Sequence, residues 1–587
     1  MKILAIVGVL CGAMAGAVMT AQHNVRASDP DAAWNALVDR YFDEVYFKFS
    51  PTAGTYEGFH QYDTQLEDYS RAGVDKQTLA LHDFEKRFEG VDPRTLDATQ
   101  AADRELVLSN IRASLLSLET IRDWEKNPDN YSSGIADSAF TIMSRRFAPP
   151  DDRLRSLTAR EKQMPAVFDA AHQNLKNPPR VYTEVALEQL PGTIDFFEHD
   201  VPSAFADATD AAAKAEFAAT NATVIAALKN YQEWLKSDML PRSNGDFRIG
   251  SATYSRKLLY EEMVDIPLDR LREIGRANLR QNQEAMKAVA AQIDPKKTPR
   301  EVLEALQADH PAPDQLMQSF RNTFDGLIAF IKQKHIIEIP SDVRPTLEET
   351  PPFERATTFA SMDTPGPYEQ VATEAYFNVT LPDPHDTPEQ IESFMGGFDR
   401  GTIVSTAVHE AYPGHYVQFL WMHRVPDKVR KLLGASSNAE GWAHYCEQMM
   451  LDEGYGQPGV GAKDERESKL IRLGQLQDAL LRNARFIVGI EMHTGQMSMD
   501  QAEDFFVKEG YQTRETAKVE TKRGTSDPTY LYYTLGKLQI LKLREDLKKK
   551  EGAAFSLEKF HDDFMRQGFP PIKIVRRALL GDDSPPL

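Results

Sequence analysis

The stretch Thr406-Ala-Val-His-Glu-Ala-Tyr-Pro-Gly-His-Tyr-Val417 sets two histidines, a glutamate and a Pro-Gly pair close together. His409 and Glu410 are adjacent, His415 lies six positions after His409, and Pro413-Gly414 stands between them. Further on, Asn438-Ala-Glu-Gly-Trp-Ala-His-Tyr445 supplies Glu440. Two imidazoles and a carboxylate form a donor set suited to Zn²⁺, with a fourth position left for water. Glu410, a second carboxylate beside the first His, is what activation of that water requires.

The spacing has to be reconciled with helix geometry. In H-E-x-x-H the histidines are four apart, about 40° around a helix, and face one ion. Six apart on an unbroken helix means about 120°. Proline removes a helical hydrogen bond, and glycine permits backbone angles that other residues avoid. The sequence therefore predicts a helix that breaks near Ala411 and Tyr412, with two bulged residues returning His415 to the ion.

The pattern His-Glu-x-x-Pro-Gly-His followed by Glu-Gly-Trp-Ala resembles the bacterial family catalogued as domain of unknown function 885. That family is similar to zinc metallopeptidases of the gluzincin type. The resemblance runs from about residue 35 to the C-terminus and implies a mainly α fold. The expected form is a large helical peptidase with a small antiparallel β-sheet edge beside an active-site cleft. The family pattern also puts the third metal ligand at Glu440. Glu447 is its rival, two helical turns on and on the same face, or else the group that orients a metal-bound imidazole. His444, one turn from Glu440, is read as a supporting or structural residue.

Further positions match the same family. Arg485-Phe-Ile-Val-Gly-Ile-Glu-Met-His493 resembles its arginine helix, although the local order at Glu491 and Met492 departs from it. Glu520, Arg523, Pro528, Tyr533 and Gly536 match its Glu-x-x-Arg, Pro and Tyr-x-x-Gly positions. Tyr533 and His493 become candidate donors to a developing oxyanion, with Tyr530 and Tyr532 as alternatives. The planar fork of Arg523 suits a substrate carboxylate.

The 587-residue chain is 41% hydrophobic and carries a formal charge of −20, which argues against nucleic acid and anionic membranes as partners. Residues 1–27 read as a signal peptide: Lys2, an apolar run over residues 3–19, and small residues near Ala21 and Ala27. Cys11 follows Gly8-Val-Leu, a poor match for a lipoprotein site. The expected location is periplasmic or secreted, without stable membrane association once the leader is removed. Cleavage would leave Cys446 as the lone cysteine, read as a buried packing residue.

Residues 28–245 repeat apolar positions at helical spacing and predict an N-terminal helical wall, by family analogy one side of the cleft. Residues 246–587 are expected to form the zinc-binding catalytic region with a small sheet. Within it, prolines cluster between Pro340 and Pro367, and Ala375-Tyr-Phe-Asn-Val-Thr-Leu381 reads as a strand. That strand is either an ordinary member of a small sheet or an edge that pairs with a substrate backbone, with Tyr376 and Asn378 as substrate-binding candidates.

The resulting expectation is an exported zinc metallopeptidase acting on small peptides. One Zn²⁺ would sit on His409, His415 and Glu440, with Glu410 as general base. The alternatives are a zinc amidase or esterase, and a non-catalytic helical binding protein.

Overall fold

Residues 30–351, 355, 358–383 and 385–587 are described by the computed structural model. The expected leader, Cys11 included, lies outside them. The described chain is mainly helical, with two small sheets. The helices that build and surround the candidate site are α1 (Ala98–Leu115), α2 (Ala211–Trp234), α3 (Gly250–Glu262), α4 (Leu268–Ile293) and α5 (Leu316–Lys334). The strands β1 (Thr346–Glu349), β2 (Ala360–Asp363) and β3 (Tyr376–Val379) follow. Then come α6 (Arg400–Glu410), α7 (His415–Met422), α8 (Ser436–Asp452), α9 (Glu465–His493), α10 (Arg514–Ser526) and α11 (Tyr532–Glu551).

Local chemistry explains several boundaries. Asp97 and Gln100 form a capping box at the start of α1, satisfying backbone N–H groups that the first turn leaves open. The Asp399 side chain accepts from the N–H of Gly401 and Thr402 and starts α6 the same way. In α4 the buried residues Leu271, Gly275, Leu279, Asn282, Met286 and Ala290 recur every three or four positions. They make a stripe that packs along α9.

The helical reading of the N-terminal half needs finer division. The stretch at 98–126 is α1, then a π turn at Leu116–Ile121, then Arg122 in the left-handed region. The stretch at 151–175 is two helices, Pro150–Glu161 and Met164–Asn174.

The strand at 375–381 forms, but not as an edge. β3 is the central strand of the order β1-β3-β2, parallel to β1 and antiparallel to β2. With both sides paired, it has no free backbone groups for a substrate strand. The sheet is therefore mixed rather than antiparallel.

N-terminal and C-terminal residues share cores. One apolar cluster joins Trp34, Phe42, Phe88 and Ile111 to Val429, Leu432, Leu433 and Ile574. Beside it the Arg430 Nε donates to Asp103 at 2.7 Å, and Asp103 is fully buried.

Candidate metal centre

The first histidine comes from the last turn of α6. Ile403, Val404, Ala407 and Val408 bury that helix, and His409 is buried with them. The helix stops at Glu410. Instead of continuing, the chain folds back: Tyr412 N–H donates to Ala407 O at 3.1 Å, and Gly414 N–H donates to Val408 O at 3.0 Å. A new helix starts at His415. Only glycine fits at 414, because a Cβ there would lie 1.8 Å from the His409 carbonyl oxygen. From α8, Trp442 Nε1 donates to Pro413 O at 2.9 Å and holds the reversal in place. The break and bulge called for by the His spacing are thus present.

Glu440 is delivered by a close helix pair. A Cβ on Gly441 would lie 2.5 Å from the Gly536 Cα, so α8 and α11 meet backbone to backbone. That approach sets Tyr533, one turn before Gly536, against Glu440. Asn438 does not cap α8. Ala435 stands at the cap position, and Glu262 of α3 accepts from the Ser437 N–H at 3.0 Å. Asn438 lies inside the helix, accepting from Gln418 and donating to Pro570 O.

The three side chains converge. Glu440 Oε2 lies 3.3 Å from His409 Nε2 and 3.4 Å from His415 Nε2. One donor atom from each residue falls within 4.8 Å of the other two. Donors bound tetrahedrally at about 2.1 Å stand about 3.4 Å apart, so the separations suit a zinc-sized ion. The fit is supported by an orphan: Glu440 Oε2 is buried, aimed between two imidazoles, and has no hydrogen-bond partner.

Glu447 supports this set and does not join it. Its Oε1 accepts from His409 Nδ1 at 2.7 Å and lies 3.2 Å from Arg482 Nη2; its Oε2 accepts from His444 Nδ1 at 2.9 Å. Burial opposes charge on Glu447, but Arg482 and His444 outweigh it and hold the carboxyl well below its usual range. Burial pushes His444 down to about 3, so its ring is neutral. For His409 burial also opposes charge, yet Glu440 and Glu447 push it up to about 10. A bound cation would take that proton's place, since a ligating imidazole must be neutral.

Of the other site candidates, Glu410 and Tyr533 lie at the cluster. Burial raises the Glu410 carboxyl above its usual value, partly offset by His409 and His415. Tyr533 donates to Glu440 Oε1 at 3.2 Å, and its ring centre is 6.3 Å from that of His409. Arg482, Arg485 and Arg523 stand 5.5, 4.9 and 5.9 Å from the centre of the same ring. Arg523 Nη2 reaches Tyr533 and Tyr532 at 3.3 Å and Asp527 at 3.4 Å.

His493 is elsewhere. It follows Arg482 by eleven positions on α9, about 16 Å along the axis. Its Nε2 donates to Gly524 O at 2.7 Å, and Phe247 and Tyr254 flank its ring. Burial lowers it to about 4. It is a neutral, buried residue of the helix packing and not an oxyanion donor. Tyr376 and Asn378 belong to the sheet: Asn378 is buried and donates to Ser361, and Tyr376 pairs with Thr346 and Asp363. The reading of the sequence missed Arg482, whose only signal was its position three residues before Arg485 on the same helix.

Comparison with known proteins defines the company of this chain. The bacterial family described as being of unknown function, DUF885, matches residues 51–579. A proposed lipoprotein of unknown function from Shewanella oneidensis shares 27% identity over 94% of this chain and 100% of its own, with a TM-score of 0.76. A proposed lipoprotein from Colwellia psychrerythraea superposes with a TM-score of 0.78 at 17% identity, covering 94% of this chain and 99% of its own; this likeness concerns the fold. No curated protein matches the chain.

These findings correct the functional expectation. The two similar structures are described as proposed lipoproteins, the Shewanella one as being of unknown function, and neither as a peptidase. The reading as a zinc metallopeptidase falls. The mainly α architecture and a His409/His415/Glu440 cluster able to hold a metal remain.

Proposed function

The chain belongs to the bacterial DUF885 family, whose function is unknown, and from that premise we propose that it is a non-catalytic helical binding protein centred on one divalent metal ion. His409, His415 and Glu440 would hold the ion. Two imidazoles and one carboxylate favour Zn²⁺ over the oxygen-preferring Mg²⁺ and Ca²⁺. Bound there, the ion supplies a Lewis-acidic position that a ligand oxygen or nitrogen can fill. Tyr533 and Arg523 offer donors beside it, and Glu410 offers an acceptor. An exported location fits the leader-like residues 1–27 and the description of the two similar structures as lipoproteins. No helix among the described residues is long and apolar enough to cross a membrane.

The observation that carries this reading is the buried Glu440 Oε2, set between two imidazole nitrogens without a hydrogen bond to either, one of whose rings is oriented by Glu447. Zinc titration calorimetry tests it. The expected result is one tight site per chain, lost in His409→Ala and Glu440→Ala. Absence of a site, or a site that survives both changes, overturns the metal assignment. Zinc-dependent turnover of a peptide, amide or ester panel overturns the non-catalytic one.

A further inference from the structure

A cavity of about 140 Å³ opens where the N-terminal half meets the helix that carries Glu440. Its walls come from α1 (Leu106, Ser109, Asn110, Ala113), the end of α3 (Tyr260, Glu261, Glu262), the start of α8 and the loop before α11. The metal cluster does not include it. Ser436 on its wall is nonetheless one helical turn from Glu440, about 6 Å along α8.

The chemistry of the wall is asymmetric. Glu262 is only 3% exposed, lines the cavity, and bonds through Oε2 to the Ser437 N–H. No basic side chain forms an ion pair with it among the described residues. Its neighbour Glu261 is paired with Lys257 and accepts from Thr529 Oγ1 at 3.4 Å. Three hydroxyls of the wall donate elsewhere: Ser109 to Tyr260 O at 2.8 Å, Thr529 to Glu261, and Tyr532 to Asp527 at 2.9 Å. The lining thus includes one nearly buried carboxylate without an ion-pair partner, together with the apolar side chains of Leu106, Ala113 and Ala435.

We propose that this cavity is a binding site for a small primary alkylammonium group, its nitrogen on Glu262 and its carbon chain against Leu106, Ala113 and Ala435. An ammonium offers three donors and no acceptor, the complement of the Glu262 carboxylate. It also supplies the positive charge that a nearly buried carboxylate needs. The volume fits: an engineered cavity of about 150 Å³ accepts benzene, so a chain of four or so carbons enters. Anionic ligands are disfavoured by Glu262, and neutral alcohols gain no charge-assisted bond. Burial raises Glu262 to about 7, which an occupying cation would reverse. The proposal stands apart from the metal reading, because none of the three proposed ligands lines the cavity.

The test titrates the full chain, both metal-free and zinc-loaded, with n-butylammonium, n-butanol and n-butyrate by calorimetry. Butylammonium is expected to bind saturably in both forms, with the alcohol and the carboxylate at least about tenfold weaker, the worth of a hydrogen bond to a charged group. Glu262→Gln keeps an acceptor for the Ser437 N–H, so α8 stays capped while affinity falls about ten- to a hundredfold. Ala113→Leu fills the cavity without touching a charge and should abolish binding. No saturable binding to the wild-type chain overturns the site, as does equal binding of butanol, or full affinity in both variants. Binding in the metal-free chain alongside a failed zinc titration would sink the metal reading and leave this one standing.

Discussion

Glu447 Oε1 accepts from His409 Nδ1 at 2.7 Å, which turns the opposite nitrogen, Nε2, toward Glu440. A carboxylate on the far side of a ligating imidazole fixes its tautomer and raises its basicity. Glu447→Gln should therefore weaken zinc binding by about ten- to a hundredfold, while Glu440→Ala removes it. Zinc titration of the two variants side by side is the check. Equal losses would make Glu447 a ligand and not an anchor.

Gly414 is the hinge of the reversal. An alanine there places a Cβ 1.8 Å from the His409 carbonyl oxygen, a backbone atom that cannot swing away. Gly414→Ala should cost more than about 2 kcal/mol in urea unfolding, as other forced overpacking does, and should impair zinc binding at once because it displaces both histidines. A variant of wild-type stability and zinc affinity would show that the reversal does not depend on that contact.

Glu161 reports on burial far from the centre. It is 1% exposed, Thr220 is the donor to its Oε2, and burial raises it from 4.5 to about 8. Between those values the folded chain holds a proton that the unfolded chain has lost. Stability contributed by this residue is thus present below pH 4.5 and declines as pH rises toward 8, by about 1 kcal/mol per pH unit. Glu161→Gln keeps the acceptor for Thr220 and removes the titration. It should match the wild type near pH 4.5 and exceed it above pH 8, as read from urea midpoints. A gap independent of pH would contradict the cause given.

Asp103 and Arg430 tie α1 to the segment just before α8. Removing the cation strands a fully buried carboxylate, so Arg430→Met should destabilise the chain by about 3 kcal/mol, softened to the extent that Asp103 protonates. Burial already raises Asp103 to about 7, so the loss should shrink in acid. Adding Asp103→Asn should recover most of the loss. A double variant no better than the single one would mean that packing, not charge, joins the segments.

What could be read from the chain follows from where its partners lie. The break after Glu410 was legible because Pro413, Gly414 and the six-residue His spacing are local facts. The helical half was legible from apolar periodicity, but not its π turns. The start of α8 was not legible because the partner of that helix end, Glu262, lies 175 positions before Ser437. Whether β3 was a central or an edge strand stayed open, because its pairing depends on β1 and β2, short segments among prolines with little strand signal of their own. His493 was grouped with Tyr533 by motif. On α9 it faces Gly524, well along the helix from the side chain that reaches His409. The donor set itself was legible, whereas the step from donor set to peptidase was not. Function rests on what the site holds and not on the motif that builds it.

Elemental analysis of the purified full-length chain, after dialysis against a zinc-buffered solution, addresses the centre most directly. The expected result is one zinc per chain, and none in the His409→Ala/His415→Ala double variant that retains the helical circular dichroism of the wild type. A wild-type chain without zinc, or a double variant that keeps it, would contradict the assignment of His409, His415 and Glu440 as a metal site.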